Sequence, residues 1–135
     1  MSNWPAPHHG MVSEYQASGV PFVTSSASGE VSTTAIQITF PYVTRWIQVI
    51  NTDTVSSHDL RFGFTQNGVN GVGGRNYVVL DGDTQTERLE LKCTQLWFRR
   101  NALSDTSFSV MAGLTNVPVN QFFVLTGSNG IAGVG

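Results

Sequence analysis

Phe40-Pro41-Tyr42-Val43-Thr44-Arg45-Trp46-Ile47-Gln48-Val49-Ile50-Asn51 is the stretch that decides the fold. From Arg45 to Asn51 apolar groups occupy both faces, Ile47 and Val49 on one side and Trp46 and Ile50 on the other, as in a strand covered on both faces. A central strand is therefore expected here. Pro41 has no N–H to give to a ladder and marks a corner with the strand before it. That preceding strand begins near Thr33 and places Ile36, Ile38 and Phe40 on one face, opposite Gln37 and Thr39.

Downstream of Asn51 the polar run from Thr52 to Asp59 reads as a loop, and Leu60, Phe62 and Phe64 alternate on one face of a further strand. The glycine-rich stretch from Gln66 to Gly74 is expected to be a loop at one end of the sandwich, leading into a strand over 76–80. Asp81-Gly82-Asp83 turns the chain sharply into a segment over about 85–91, where Glu87, Leu89 and Leu91 share a face. Strands over 95–99 and 107–114 follow; the second directs Phe108, Val110, Ala112 and Leu114 inward, although Met111 breaks its polar face. Pro118 marks a turn, and Phe122 to Leu125 is expected as the last strand. About eight short strands with frequent turn signals, and no amphipathic helix, indicate an all-β sandwich. Eight strands fit a single jelly-roll β-sandwich, with an immunoglobulin-like sandwich as the main competitor. The divisions expected are an extended N-terminal arm over 1–30, the jelly-roll domain over 31–126 and a glycine-rich C-terminal tail over 127–135.

The 135 residues suffice for one domain with its own core. The single cysteine, Cys93, has no intrachain partner, and the polar opening of the chain carries no signal-peptide pattern, so secretion is not expected. No apolar run approaches the ~20 residues a membrane span requires. Charged residues make up 12% of the chain, against a usual ~25%. Such a deficit is expected where much of the exterior is covered by other subunits. With a formal net charge of -2 and Lys92 as the only lysine, direct binding to a nucleic-acid backbone is not expected.

The first 30 residues hold Trp4, Tyr15 and Phe22 in a polar setting without strand or helix period. Isolated aromatics of this kind either anchor an arm on a neighbouring subunit or belong to a disordered segment. Other chemistry is weakly signalled. His8 and His9 are adjacent and point apart in an extended chain, so they make a poor metal grip. His58 and Asp59 with the distant Cys93 lack the local signature of a nucleophile. The glycine-rich loop lacks the ending of a phosphate cradle, and Asp81-Gly82-Asp83 lacks the further ligands of a calcium loop. Tyr77 and Trp97 are candidates for an aromatic sugar platform, with core packing as the alternative. No catalytic, cofactor-binding or metal site is expected.

Phe40 to Ile47, Arg61 to Phe64, Asn76 to Leu80, Leu89 to Cys93 and Val110 to Thr115 together resemble the small single jelly-roll capsid proteins, most closely the penton proteins at the fivefold vertices of large icosahedral double-stranded DNA viruses. Similar strand phrases occur in phage decoration proteins. The resemblance spans about 33–125. It implies a structural virion protein without catalytic apparatus, assembled inside the host cell. Its implied partners are further copies of itself in a homopentamer and the neighbouring major and minor capsid proteins.

Overall fold

A computed structural model of the chain describes residues 19–123 and Val134. The elements in chain order are β1 (Val20–Ser25), β2 (Ile36–Thr39), β3 (Tyr42–Asn51), β4 (Leu60–Gly63), α1 (Gln66–Asn70), β5 (Val78–Leu80), β6 (Gln95–Arg100), β7 (Phe108–Pro118) and a 3-10 turn (Val119–Gln121). The protein is all-β, built on two antiparallel sheets with strand orders β1-β7-β3 and β2-β6-β4-β5.

One side of each strand feeds a shared core. Phe40, Ile47, Val49, Phe62, Phe108 and Val110 are buried there, with Ile38, Leu89 and Leu91 packed against them half-buried, so the expected inward faces are all correct. Phe98 of β6 and Phe108 of β7 stack across the sandwich, ring centroids 3.9 Å apart and planes 6° from parallel. Burying side chains of this size contributes ~1.5–3 kcal/mol each, which is why the alternation in the sequence is so informative about the fold.

The expected central strand is flanked by β7 on one side. Along its other side runs the segment 84–93, of which about 85–91 is expected as a strand from the sequence. It follows β3 by backbone hydrogen bonds rather than as a regular ladder: Asn51 N–H to Thr84 O (2.9 Å), Thr86 N–H to Val49 O (2.9 Å), Ile47 N–H to Leu89 O (3.0 Å) and Thr44 N–H to Cys93 O (3.0 Å). The partner register slips by one residue between Thr86 and Leu89 and again before Cys93. A tight turn in which Leu91 N–H donates to Leu89 O takes up part of the slack. The Thr86 hydroxyl accepts from Val49 N–H at 3.1 Å. β3 is irregular at the same level, with register shifts on both sides of Thr44. The added residue turns Thr44 inward, where its hydroxyl accepts from Cys93 N–H (2.9 Å) and donates to Leu91 O (3.0 Å).

Three expectations need correction. Residues 20–25, assigned to the arm, form β1 and pair with β7 from Val20↔Leu114 to Ser25↔Ser109. Arm-like composition misled here because an edge strand tolerates Pro21, whose missing donor is harmless at an edge. The 66–74 stretch is not wholly loop. Thr65 caps a short helix by accepting from Gly68 N–H at 2.9 Å, and Gly71 ends it at φ 76°, a left-handed conformation that glycine adopts without strain. Finally, Phe122 and Phe123 follow the 3-10 turn outside any strand, while 124–125 lie outside the described residues. The described residues contain seven strands.

Candidate functional sites and surfaces

All strands run between two ends, which differ in chemistry. At one end lie the loops 26–35, 52–59, 81–84 and 101–107, and one side chain there joins the 52–59 loop, the end of β5 and the 101–107 loop. Asn51, 1% exposed, donates from Nδ2 to His58 O (2.9 Å) and Leu80 O (3.0 Å). Its Oδ1 accepts from Asp53 N–H (3.1 Å) and the Thr106 hydroxyl (3.0 Å). Every hydrogen-bonding position of the carboxamide is thus used. The sequence offered little sign of this role, because an Asn at a strand end before a polar loop is ordinary.

His58 Nδ1 lies 3.0 Å from Asp53 Oδ2. The Asp53 carboxyl is held below its usual range, first by the Val55 N–H and then by His58. Asp59 is pushed the other way, first by burial and then by the nearby Asp81. Asp81-Gly82-Asp83 serves as a turn, with Gly82 N–H donating to Ser56 O at 3.2 Å. Among the described residues, no three His, Cys, Asp or Glu side chains come together where a metal could be held.

The His58, Asp59 and Cys93 constellation is not brought together. His58 is bonded to Asn51 at one end of β3, whereas Cys93 is bonded to Thr44 near the other, seven residues away along the strand. At ~3.3 Å per residue that is roughly 23 Å. Burial pushes the Cys93 thiol up to about 12.

Arg61 of β4 and Arg99 of β6 sit directly opposite each other on the outer side of their sheet. Like charges so placed repel, and the last turn of α1 offsets this by presenting carbonyls to both. Arg61 donates to Val69 O (3.3 Å) and to Asn101 Oδ1 (2.8 Å), and Arg99 to Asn70 O (3.4 Å) and Oδ1 (3.3 Å). Arg61 also stacks over the Tyr77 ring, 4.2 Å from its centroid. Tyr77 and Trp97 do not form a common platform. Tyr77 lines a cleft of about 230 Å³ with Phe64, Arg75 and Asn76, while Trp97 lines a separate one of about 250 Å³ with Thr65, Gln66, Asn67 and Gln95. The second cleft escaped the sequence reading because its residues come from two segments that only the fold places together.

Of the expected interface aromatics, Phe22 packs edge-on against Phe40, centroids 5.0 Å apart, and so belongs to its own domain's core rather than to a neighbour. Trp4 and Tyr15, like His8 and His9, lie outside the described residues. The outer side of the β1-β7-β3 sheet is apolar in part, with Val23 (66% exposed) beside Met111 (40%) in register. The Trp46 indole there covers Gly113, leaving no room for a side chain at that position. No helix among the described residues is long and apolar enough to cross a membrane. No protein-family model matches the chain, and no curated protein or solved structure matches it either.

Proposed function

We propose that this protein is a structural virion subunit with a single jelly-roll domain, acting as the penton capsomer that closes the fivefold vertices of an icosahedral capsid. The observation that carries the reading is the nesting of its strand pairs. Counting the irregular 84–93 segment with the strands in chain order, the fourth pairs with the fifth, the third with the sixth, the second with the seventh and the first with the eighth. A long antiparallel hairpin rolled up on itself pairs in this way, which is the arrangement of a jelly roll.

Fold does not determine function, so the virion role leans on two further supports. Charge is sparse over the whole chain, at 12%. An exposed apolar pair, Val23 and Met111, lies side by side on the outer face of the edge strand β1 and its neighbour β7. Both suit a subunit that meets copies of itself side by side through heterologous contacts repeating around a closed ring. Neighbouring major and minor capsid proteins would surround that ring.

Native mass measurement of the purified chain tests the proposal. A closed pentamer is expected at micromolar concentration. A stable ring of another size would assign the protein to capsid decoration instead, and a monomer at every concentration tested would overturn the virion reading.

A further inference from the structure

The cleft beside Trp97 has a composition that a purely structural surface does not need. Its lining, Thr65, Gln66, Asn67, Gln95 and Trp97, contains an aromatic ring, three carboxamides and a hydroxyl, and no charged side chain. Gln95 is held in position, donating to Phe64 O at 3.0 Å and accepting from the Gln37 amide at 2.6 Å. Gln66 and Asn67 stand exposed at the rim. Across the ladder from Trp97 is Gly63, which brings no side chain to cover the indole from β4.

A second observation comes from Trp97 itself. Its Nε1–H is shielded from solvent and has no acceptor among the described residues. A buried indole N–H normally finds a partner, so this side chain is not fixed by a hydrogen bond of its own, and what it brings to the cleft is its ring.

We propose that this cleft binds one ring of an uncharged carbohydrate. The apolar face of a pyranose fits against an aromatic side chain, and its hydroxyls match carboxamides, which both donate and accept. The lining offers no cation for a phosphate or a carboxylate. At about 250 Å³ the cleft falls below the usual ~300–1,000 Å³ of drug-sized sites, which restricts it to a single ring. This activity goes beyond the capsid role and does not depend on it. On a virion it would give the particle a weak, repeated grip on surface glycans, strengthened by the number of copies presented.

Saturation-transfer NMR on the full chain, with glucose, galactose, mannose, N-acetylglucosamine and N-acetylgalactosamine as probes, provides the test. Sialic acid and adenosine monophosphate serve as anionic comparisons. At least one neutral sugar is expected to bind with Kd of roughly 1–10 mM, the weak range usual for a single small ligand held by few contacts. Gln66→Ala combined with Asn67→Ala, both exposed and therefore compatible with folding, should weaken that binding at least about fivefold, a change of roughly 1 kcal/mol. Trp97→Leu, which keeps an apolar side chain but removes the aromatic face, should weaken it as well, with an unchanged circular dichroism spectrum confirming the fold. No transfer to any neutral sugar, a preference for the anionic probes, or binding indifferent to both variants would each overturn the assignment.

Discussion

The Asn51 carboxamide and the Thr106 hydroxyl, both fully buried, lie 3.0 Å apart and join the end of β3 to the loop that leads into β7. The same hydroxyl is 3.0 Å from His58 O, so three chain segments converge on one polar point. Burial of such a network is tolerable only because each member is satisfied. Asn51→Ala strips His58 O and Leu80 O of a donor each, and a loss of about 2–4 kcal/mol in urea denaturation is expected. A loss below ~1 kcal/mol would mean that water replaces the carboxamide without cost.

Phe108→Ala should cost about 3–5 kcal/mol, because it removes one partner of the Phe98 stack and leaves a cavity between the sheets. Equilibrium denaturation measures this directly. A small effect would place the ring at the margin of the core and contradict the register of β7.

The two carboxyls at the Asn51 end should respond to pH with opposite signs. Asp53 has a lowered folded value, so its contribution is present above the unfolded value of ~4 and is lost as pH falls through the folded one. Asp59 has a raised folded value; its penalty is full above that value and is relieved as pH falls through it towards the unfolded one. Asp53→Asn is therefore expected to lower stability at pH ~7 and Asp59→Asn to raise it, and both differences should shrink by pH ~3. Urea melts of the two variants at both pH values check the signs.

Cys93 should be inert in the folded protein. Buried, and with its thiol pushed up to about 12, it presents almost no thiolate at neutral pH. Its reaction with an aromatic disulfide reagent should keep pace with global unfolding, and Cys93→Ser should retain the fold. Rapid labelling under native conditions would show that the 84–93 segment opens on its own.

Truncation separates β1 from what precedes it. Deletion of residues 1–18 leaves every described strand in place, and a cooperatively unfolding β-rich domain is expected. Deletion of residues 1–30 also removes β1 and Phe22, exposing the β7 edge and uncovering Phe40, so loss of cooperative unfolding is expected. Circular dichroism melts of the two truncations distinguish them.

By itself the sequence determined the all-β class and the inward-facing residues. Residues such as Ile47, Val49, Phe62, Phe108 and Val110 could be placed because a strand repeats every two residues and burial rewards that period at short range. β1 escaped because Val20–Ser25 is only half-buried at an open edge, where the period is weak and a proline is allowed. The slipped pairing of 84–93, the inward turn of Thr44 and three of the four bonds of Asn51 were likewise decided only by the tertiary structure. Each depends on partners seven to fifty-five residues away, as with the Asn51 bonds to His58 and Thr106, and no local pattern encodes which carbonyl a buried side chain will meet. The Trp97 cleft is the same case: its indole and the amides of Gln66 and Asn67 are some thirty residues apart in sequence, and become neighbours only because α1 folds back over the sheet that carries β6.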